Sequence, residues 1–189
     1  MDRPERTSAL DYLRRKGTDA PASRLLAGLR TTFQRFEQAV DRVPPPLRTR
    51  RPQPAAWSVQ EVVDHLVETH GLAVGELRTL CAGMSPDGPP IPARLMSAAP
   101  LSRSWDSLVS GLKGIHADVL AIVERAGDGA PLQPTAAFVM VVKATGESGP
   151  EVLEWVERLD WKAYAQALRV HTYEHTAQVE RTLAALESS

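Results

Sequence analysis

Four long stretches of this 189-residue chain carry apolar side chains at alternating steps of three and four, the spacing that gathers them on one face of a helix. Such a face is stable only when packed against others, so the pattern restricts the chain to bundled helices. The first stretch starts at Pro21, a residue suited to a helix's first turn. It runs through Leu26, Leu29, Phe33, Phe36, Val40 and Val43 and ends at Pro44, Pro45 and Pro46. The second opens on a capping box, Ser58 with Glu61 three residues on, with Trp57 placed to staple onto Val62, and extends to about Ala82. Gly83 and the proline-rich segment SPDGPPIP then break it. The third, about 104 to 126, carries Trp105, Leu108, Leu112, Ile115, Val119 and Ile122, with Gly127 as its C-terminal cap. The fourth occupies about 161 to 187, opened by Asp160. An all-α chain follows: a four-helix bundle whose long connections cross over rather than running simply up and down.

The remaining segments are less periodic. Residues 1–18 read as a polar N-terminal arm with one short helical turn around Leu10 to Leu13, closed by Gly17, ahead of a single domain at 19–189. No conformation is assigned to 130–150, because the β-branched run FVMVV at 138–142 has no second strand-like run to pair with. Ser148, Pro150 and Glu151 look like a new helix start leading through Val152, Trp155, Val156 and Leu159.

A content of 43% hydrophobic and 24% charged residues suits one globular core, and a net charge of -1 with scattered Lys and Arg argues against a nucleic-acid partner. No stretch approaches the roughly 20 apolar residues that span a bilayer and the N-terminus has no apolar signal core, so the expectation is a cytoplasmic protein without membrane association. The single cysteine, Cys81, permits no internal disulfide and has no basic neighbour to activate it.

The chemistry lies in the histidines. His171 and His175 are four residues apart, hence about 40° apart and one turn along a helix, and they fall on the inward stripe of Leu168, Val179 and Leu186. Two imidazoles placed inside a bundle need hydrogen-bond partners or a cation, and a metal ion satisfies both together. A third donor is available from the second helix, where His65 sits on the shoulder of the apolar face beside Val62, Thr69 and Leu72. His70 on the other shoulder, and His116 one turn after Leu112, stay open at this point as ligands or as satisfied core histidines. Glu61, one turn before His65, can orient its other nitrogen, in competition with its capping role, and Glu68 is the reserve. Gln178, one turn after His175, is placed to reach a metal-bound water or simply to face the bundle, while Glu174 points elsewhere as a surface charge. Other chemistries fail on residue type: no Glu stands three residues before any histidine, as a di-iron bundle requires, and H-E-x-x-H, glycine-rich phosphate loops, paired cysteines and G-x-S-x-G are absent.

The segments AAWSVQEVVDHLVETH and RVHTYEHTAQVERTL resemble the two signature regions of the DinB/YfiT-like superfamily, over about 20 to 187 of the chain. Trp57, Ser58, Glu61, His65 and Leu66 occupy the positions of its first motif, and His171 and His175 those of its second. The resemblance implies a four-helix bundle binding one divalent metal, zinc, nickel, manganese or iron, through His65, His171 and His175. It implies a small-molecule substrate and activities ranging from transfer of a low-molecular-weight thiol (mycothiol, bacillithiol or glutathione) to metal-dependent hydrolysis. A homodimer is common in the family; Trp155 and Trp161 are read either as markers of such an interface or as buried packing. The valine-rich stretch before the last helix departs from the family pattern. Three neutral imidazoles leave a divalent ion electrophilic and incompletely coordinated, the pattern of a catalytic centre. Thiol transfer is the leading expectation and hydrolysis the second. A non-catalytic, stress-related metal-binding or interaction protein, and a bundle with no ion, are the rivals.

Overall fold

The computed structural model describes residues 3–146 and 149–188. The four periodic stretches are helices α2 (Ala22–Asp41), α3 (Val59–Cys81), α4 (Trp105–Ala126) and α5 (Trp161–Glu187), preceded by α1 (Pro4–Leu13). Their ends obey local chemistry. Ser58 accepts from the Glu61 amide while the Glu61 carboxylate accepts from the Ser58 amide, so the capping box is formed. Gly127 closes α4 at φ 52°, and Asp160 opens α5 by accepting from the Lys162 and Ala163 amides.

Within the bundle α2 packs on α4 and α5, and α3 packs on the same two helices. The buried apolar residues form two clusters. One joins Leu25, Leu29 and Phe33 to Leu77, Val119, Val123 and Leu168. The other joins Phe36 and Val40 to Val62, Leu66, Leu108, Leu112 and Val179. These memberships fix direction: α2 and α5 run one way, α3 and α4 the other. The chain between α3 and α4 must therefore travel the length of the bundle, which is the crossover the long 83–103 connection foretold. Between the two clusters lies a buried polar stratum, with His65, Thr69 and His70 from α3, His116 from α4, and Thr172 and Thr176 from α5.

Two segments differ from the sequence expectation. Residues 149–159 are not a helix start: β1 (Ala136–Gly146) and β2 (Gly149–Leu159) form an antiparallel hairpin, with Met140 opposite Trp155 and Val139 opposite Val156. The spacing of Val152, Trp155, Val156 and Leu159 satisfies a helix face, but as a strand it splits between two faces. Phe138, Met140, Trp155 and Leu159 turn to the core, while Val141, Val152 and Val156 are exposed. Ser148 lies outside the described residues. Leu72, read as part of the apolar face of α3, is 56% exposed. Trp161 is fully buried and Trp155 half-buried beneath the Arg6 guanidinium, so neither tryptophan is an exposed marker of an interface.

The N-terminal segment is more than a single turn. Helix α1 continues through a wide π turn at Arg14–Thr18 that docks on the start of α5. There Gly17 comes so close that a Cβ would lie 2.8 Å from the Ala163 Cα and 2.9 Å from the Lys162 carbonyl oxygen. Thr18 donates to Asp160, and the buried Lys162 ammonium donates to the Ala20 carbonyl and to Asp128, which fastens the same corner. Gly17→Ala should therefore cost about 1–3 kcal/mol of unfolding free energy by forcing backbone apart. A urea titration checks this, and an unchanged midpoint would mean that the turn does not rest on α5.

Candidate metal centre

The capping box sets where α3 begins and thereby places His65 two turns in, while the Asp160 cap places His171 and His175 in the middle turns of α5. Packing of α3 on α5 brings the three rings together, and one nitrogen of each lies within 4.8 Å of the other two. The Nε2 atom of His171 is 3.1 Å from that of His65 and 3.1 Å from that of His175. A tetrahedral zinc site with bonds near 2.0–2.1 Å needs donors about 3.4 Å apart.

Proton bookkeeping tests whether a cation fits. His65 donates from Nδ1 to the Leu95 carbonyl at 2.7 Å, so its Nε2 is a bare lone pair. His175 donates from Nδ1 to the Gln178 side-chain oxygen at 2.8 Å, which leaves its Nε2 bare as well. Both lone pairs face the single Nε2 of His171, which carries at most one proton. A divalent ion among the three replaces this repulsion by coordination, so the donor set fits a metal. Burial adds to the fit. Desolvation lowers the pKa of His65 and, with the neighbouring imidazoles, lowers that of His171 further; it brings His175 to about 4. All three stay neutral, with lone pairs free, near pH 7.

The atoms that orient the ligands differ from the sequence expectation. The Glu61 carboxylate does not reach His65: it holds the Ser58 amide and hydroxyl and the Arg51 guanidinium, and these partners lower its pKa against the opposing effect of burial. Its place at the His65 Nδ1 is taken by a backbone carbonyl from the crossover. That stretch is pinned by α3 itself. The fully buried Asp64 accepts from the Ser97 amide (2.8 Å) and hydroxyl (2.7 Å) and from Arg103 (2.8 Å), which also bridges to Glu68 at 2.6 Å. Gln60 donates to the Pro100 and Arg103 carbonyls. Gln178 accepts from the His175 imidazole. His70 is completely buried with its Nε2 3.1 Å from the Nδ1 of His171, while His116 stacks on Phe33 and bonds Glu37. Sequence reasoning missed Asp64, Leu95 and the contact made by His70. A carbonyl acceptor has no residue-type signature, and Asp64 becomes legible only once the crossover is known to lie over α3.

The three imidazoles open into a cavity of about 960 Å³. Trp57, packed 5.1 Å from the His65 ring and stacked 6.2 Å from that of His175, forms one wall, and the hairpin residues Val139, Val141 and Val152 form another. Arg94, Arg181 and Glu174 supply charge at exposed positions along it. Cys81 does not line this space, and burial pushes its thiol up to about 11, so it offers no thiolate at neutral pH.

A helical bundle with three imidazoles from two helices converging on one point, beside an open cavity, defines a class of histidine-site bundle proteins. The DinB superfamily model matches residues 28–188, and the chain belongs to that superfamily. Among solved structures it resembles YfiT from Bacillus subtilis, described as a probable metal-dependent hydrolase with an unusual four-helix bundle topology. The TM-score is 0.59 at 12% identity, over 88% of this chain and 86% of that one. It also resembles an uncharacterised protein from Escherichia coli UTI89, with a TM-score of 0.57 at 13% identity, over 88% of this chain and 95% of the other. At these identities the likeness concerns the fold. No curated protein matches the chain.

The buried imidazoles predict a pH dependence. A histidine whose folded pKa is lowered binds its proton more readily in the unfolded chain, so its stabilising effect is full above the ordinary value of 6.5 and fades as pH falls towards about 4, the value for His175. Metal-stripped protein should accordingly show urea midpoints that decline steadily from pH 7 to pH 4, and a flat profile over that window would contradict the burial argument.

Proposed function

We propose that this chain is a divalent-metal-dependent enzyme that joins a small thiol to an apolar electrophile, with His65, His171 and His175 as the metal ligands. The observation that carries the reading is the set of three neutral imidazoles, with no carboxylate among them, at the edge of a cavity. Such a set would leave an ion's charge undiminished and positions open for substrate. When bound, the ion supplies Lewis acidity that lowers the pKa of a thiol or a water near pH 7.

The chain's own residues do the rest. The Leu95 carbonyl and the Gln178 side chain hold two ligand rings in the tautomer that presents Nε2 to the ion. Trp57 and the valines of the hairpin give the cavity an apolar wall suited to a hydrophobic electrophile, and Arg94 and Arg181 offer counter-charge to a carboxylate-bearing thiol. A volume of about 960 Å³ is at the upper end for one small ligand and leaves room for two reactants side by side. Hydrolysis is the second reading, supported by the description of the Bacillus subtilis protein of the same fold. The ion, in either case, is zinc, nickel, manganese or iron.

The test loads stripped protein with each metal and supplies mycothiol, bacillithiol or glutathione with a bimane electrophile. One metal ion per chain by elemental analysis and thiol-dependent turnover are expected, both lost in His171→Ala with the helical content retained. Turnover of ester or amide substrates without any thiol would instead favour hydrolysis, and stoichiometric metal with no turnover of either kind would favour a binding protein.

A further inference from the structure

All five histidines of the chain lie in one connected set of rings. Beyond the three proposed ligands, the His70 ring is 5.3 Å from that of His171 and the His116 ring 6.1 Å from that of His70. The set ends at Glu37, which accepts from the His116 Nδ1 at 2.8 Å and is partly exposed on the far side of the bundle. Two nitrogens in it are buried without a hydrogen-bond partner, His70 Nδ1 and His116 Nε2. Orphaned polar atoms of this kind are destabilising, so their presence on adjacent rings calls for a physical reason.

Tautomers supply one. If His171 offers its Nε2 lone pair to an ion, its proton sits on Nδ1 and is donated to the Nε2 of His70, 3.1 Å away. His70 then carries its own proton on Nδ1, the orphaned atom, as a donor. His116 donates its Nδ1 proton to Glu37, which leaves its Nε2, the other orphan, as an acceptor. In this state the two orphans are complementary, a donor and an acceptor on rings 6.1 Å apart, a gap that a bridging water would close. In the alternative state His171 carries its proton on Nε2, between the lone pairs of His65 and His175, and His70 donates from Nε2. Both orphans are then acceptors with nothing to accept.

We propose that His70 is a positioning residue that fixes His171 in its ligating tautomer, and that His116, anchored by Glu37, receives the hydrogen bond of the His70 Nδ1 through a bridging water. The inference rests on the reading that the three imidazoles hold a divalent ion. Passing from the metal-free to the loaded state, the Nε2 proton of His171 leaves to solvent and the Nε2 proton of His70 moves to the Nδ1 of His171. A proton from solvent arrives on the Nδ1 of His70. Both rings are neutral before and after, and the proton count is unchanged.

The test uses full-length protein with 15N-labelled histidine, stripped and then titrated with zinc, and reads ring tautomers from long-range nitrogen–proton correlations. Zinc is expected to switch both His70 and His171 from the Nε2–H to the Nδ1–H form. A parallel chelator competition should show zinc affinity falling 10–100-fold in His70→Leu, recovering largely in His70→Gln, whose amide oxygen restores an acceptor, and falling less in His116→Leu. Wild-type protein that binds zinc while His70 stays in the Nε2–H form overturns the inference and leaves the metal reading standing. A folded His70→Leu protein with wild-type affinity does the same. Failure of wild-type protein to bind zinc or any other divalent ion overturns both. Should His70→Leu fail to fold, the wild-type tautomers decide.

Discussion

Two nitrogen lone pairs directed at a third nitrogen 3.1 Å away are an electrostatic liability in the interior of a metal-free bundle, and much of the surrounding structure holds them there. Helix α3 cannot rotate to relieve the contact, because its first turns are locked by the Ser58–Glu61 box and by Arg51. Asp64, Gln60 and Glu68 fix the crossover, and the crossover's Leu95 carbonyl fixes the His65 ring. Helix α5 is held by its Asp160 cap and by the docking of the π turn around Gly17. The site is thus set by features up to about three helical turns away from it, as a centre built on rigid elements requires.

The placement of the histidines within the bundle follows from the same constraint. They lie in a polar stratum between two apolar clusters, where each helix contributes to packing on both sides. A polar layer flanked by close-packed cores is rigid and limits the solvation of the imidazoles, which lowers the pKa of His65, His70 and His171 and keeps them neutral.

How much of this was legible depends on whether a feature is carried by residue type or by tertiary path. The four bundle helices were, because alternating apolar steps, a capping box and a C-terminal glycine are local physics: α3 and α5 begin within a residue of where Ser58 and Asp160 place them. The three converging histidines were also legible, since helix periodicity puts His171 and His175 on one face and the capped start of α3 sets the height of His65. The partners of those histidines were not. Glu61 looked available to His65 by spacing, but its carboxylate was already committed to the cap and to Arg51, and the actual acceptor belongs to a connection whose route no periodicity reveals. The hairpin was missed for a different reason: Val152, Trp155, Val156 and Leu159 follow the helical period and split between the two faces of a strand, so only the pairing of the whole run with 136–146 reveals the strand. The left-handed glycine at 149, φ 123°, was the available sign of a turn.

That hairpin separates the two tasks of the molecule. Its inner face, with Phe138, Met140 and Trp155, packs on the core, where Phe138 meets Tyr164 edge to face, and Phe138 and Met140 also line the cavity. Its outer face should by the usual alternation be polar, yet it carries Val141, Val152 and Val156, each more than half exposed. Two of these three border the cavity beside the histidines, which gives exposed valines a use that solvent alone does not. None of the hairpin's residues contacts a histidine ring through a hydrogen bond among the described residues. The helices and the crossover therefore build the donor set, and the hairpin shapes the space in front of it. Changes along β1 and β2 can alter which molecule fits without disturbing the nitrogens that line the cavity.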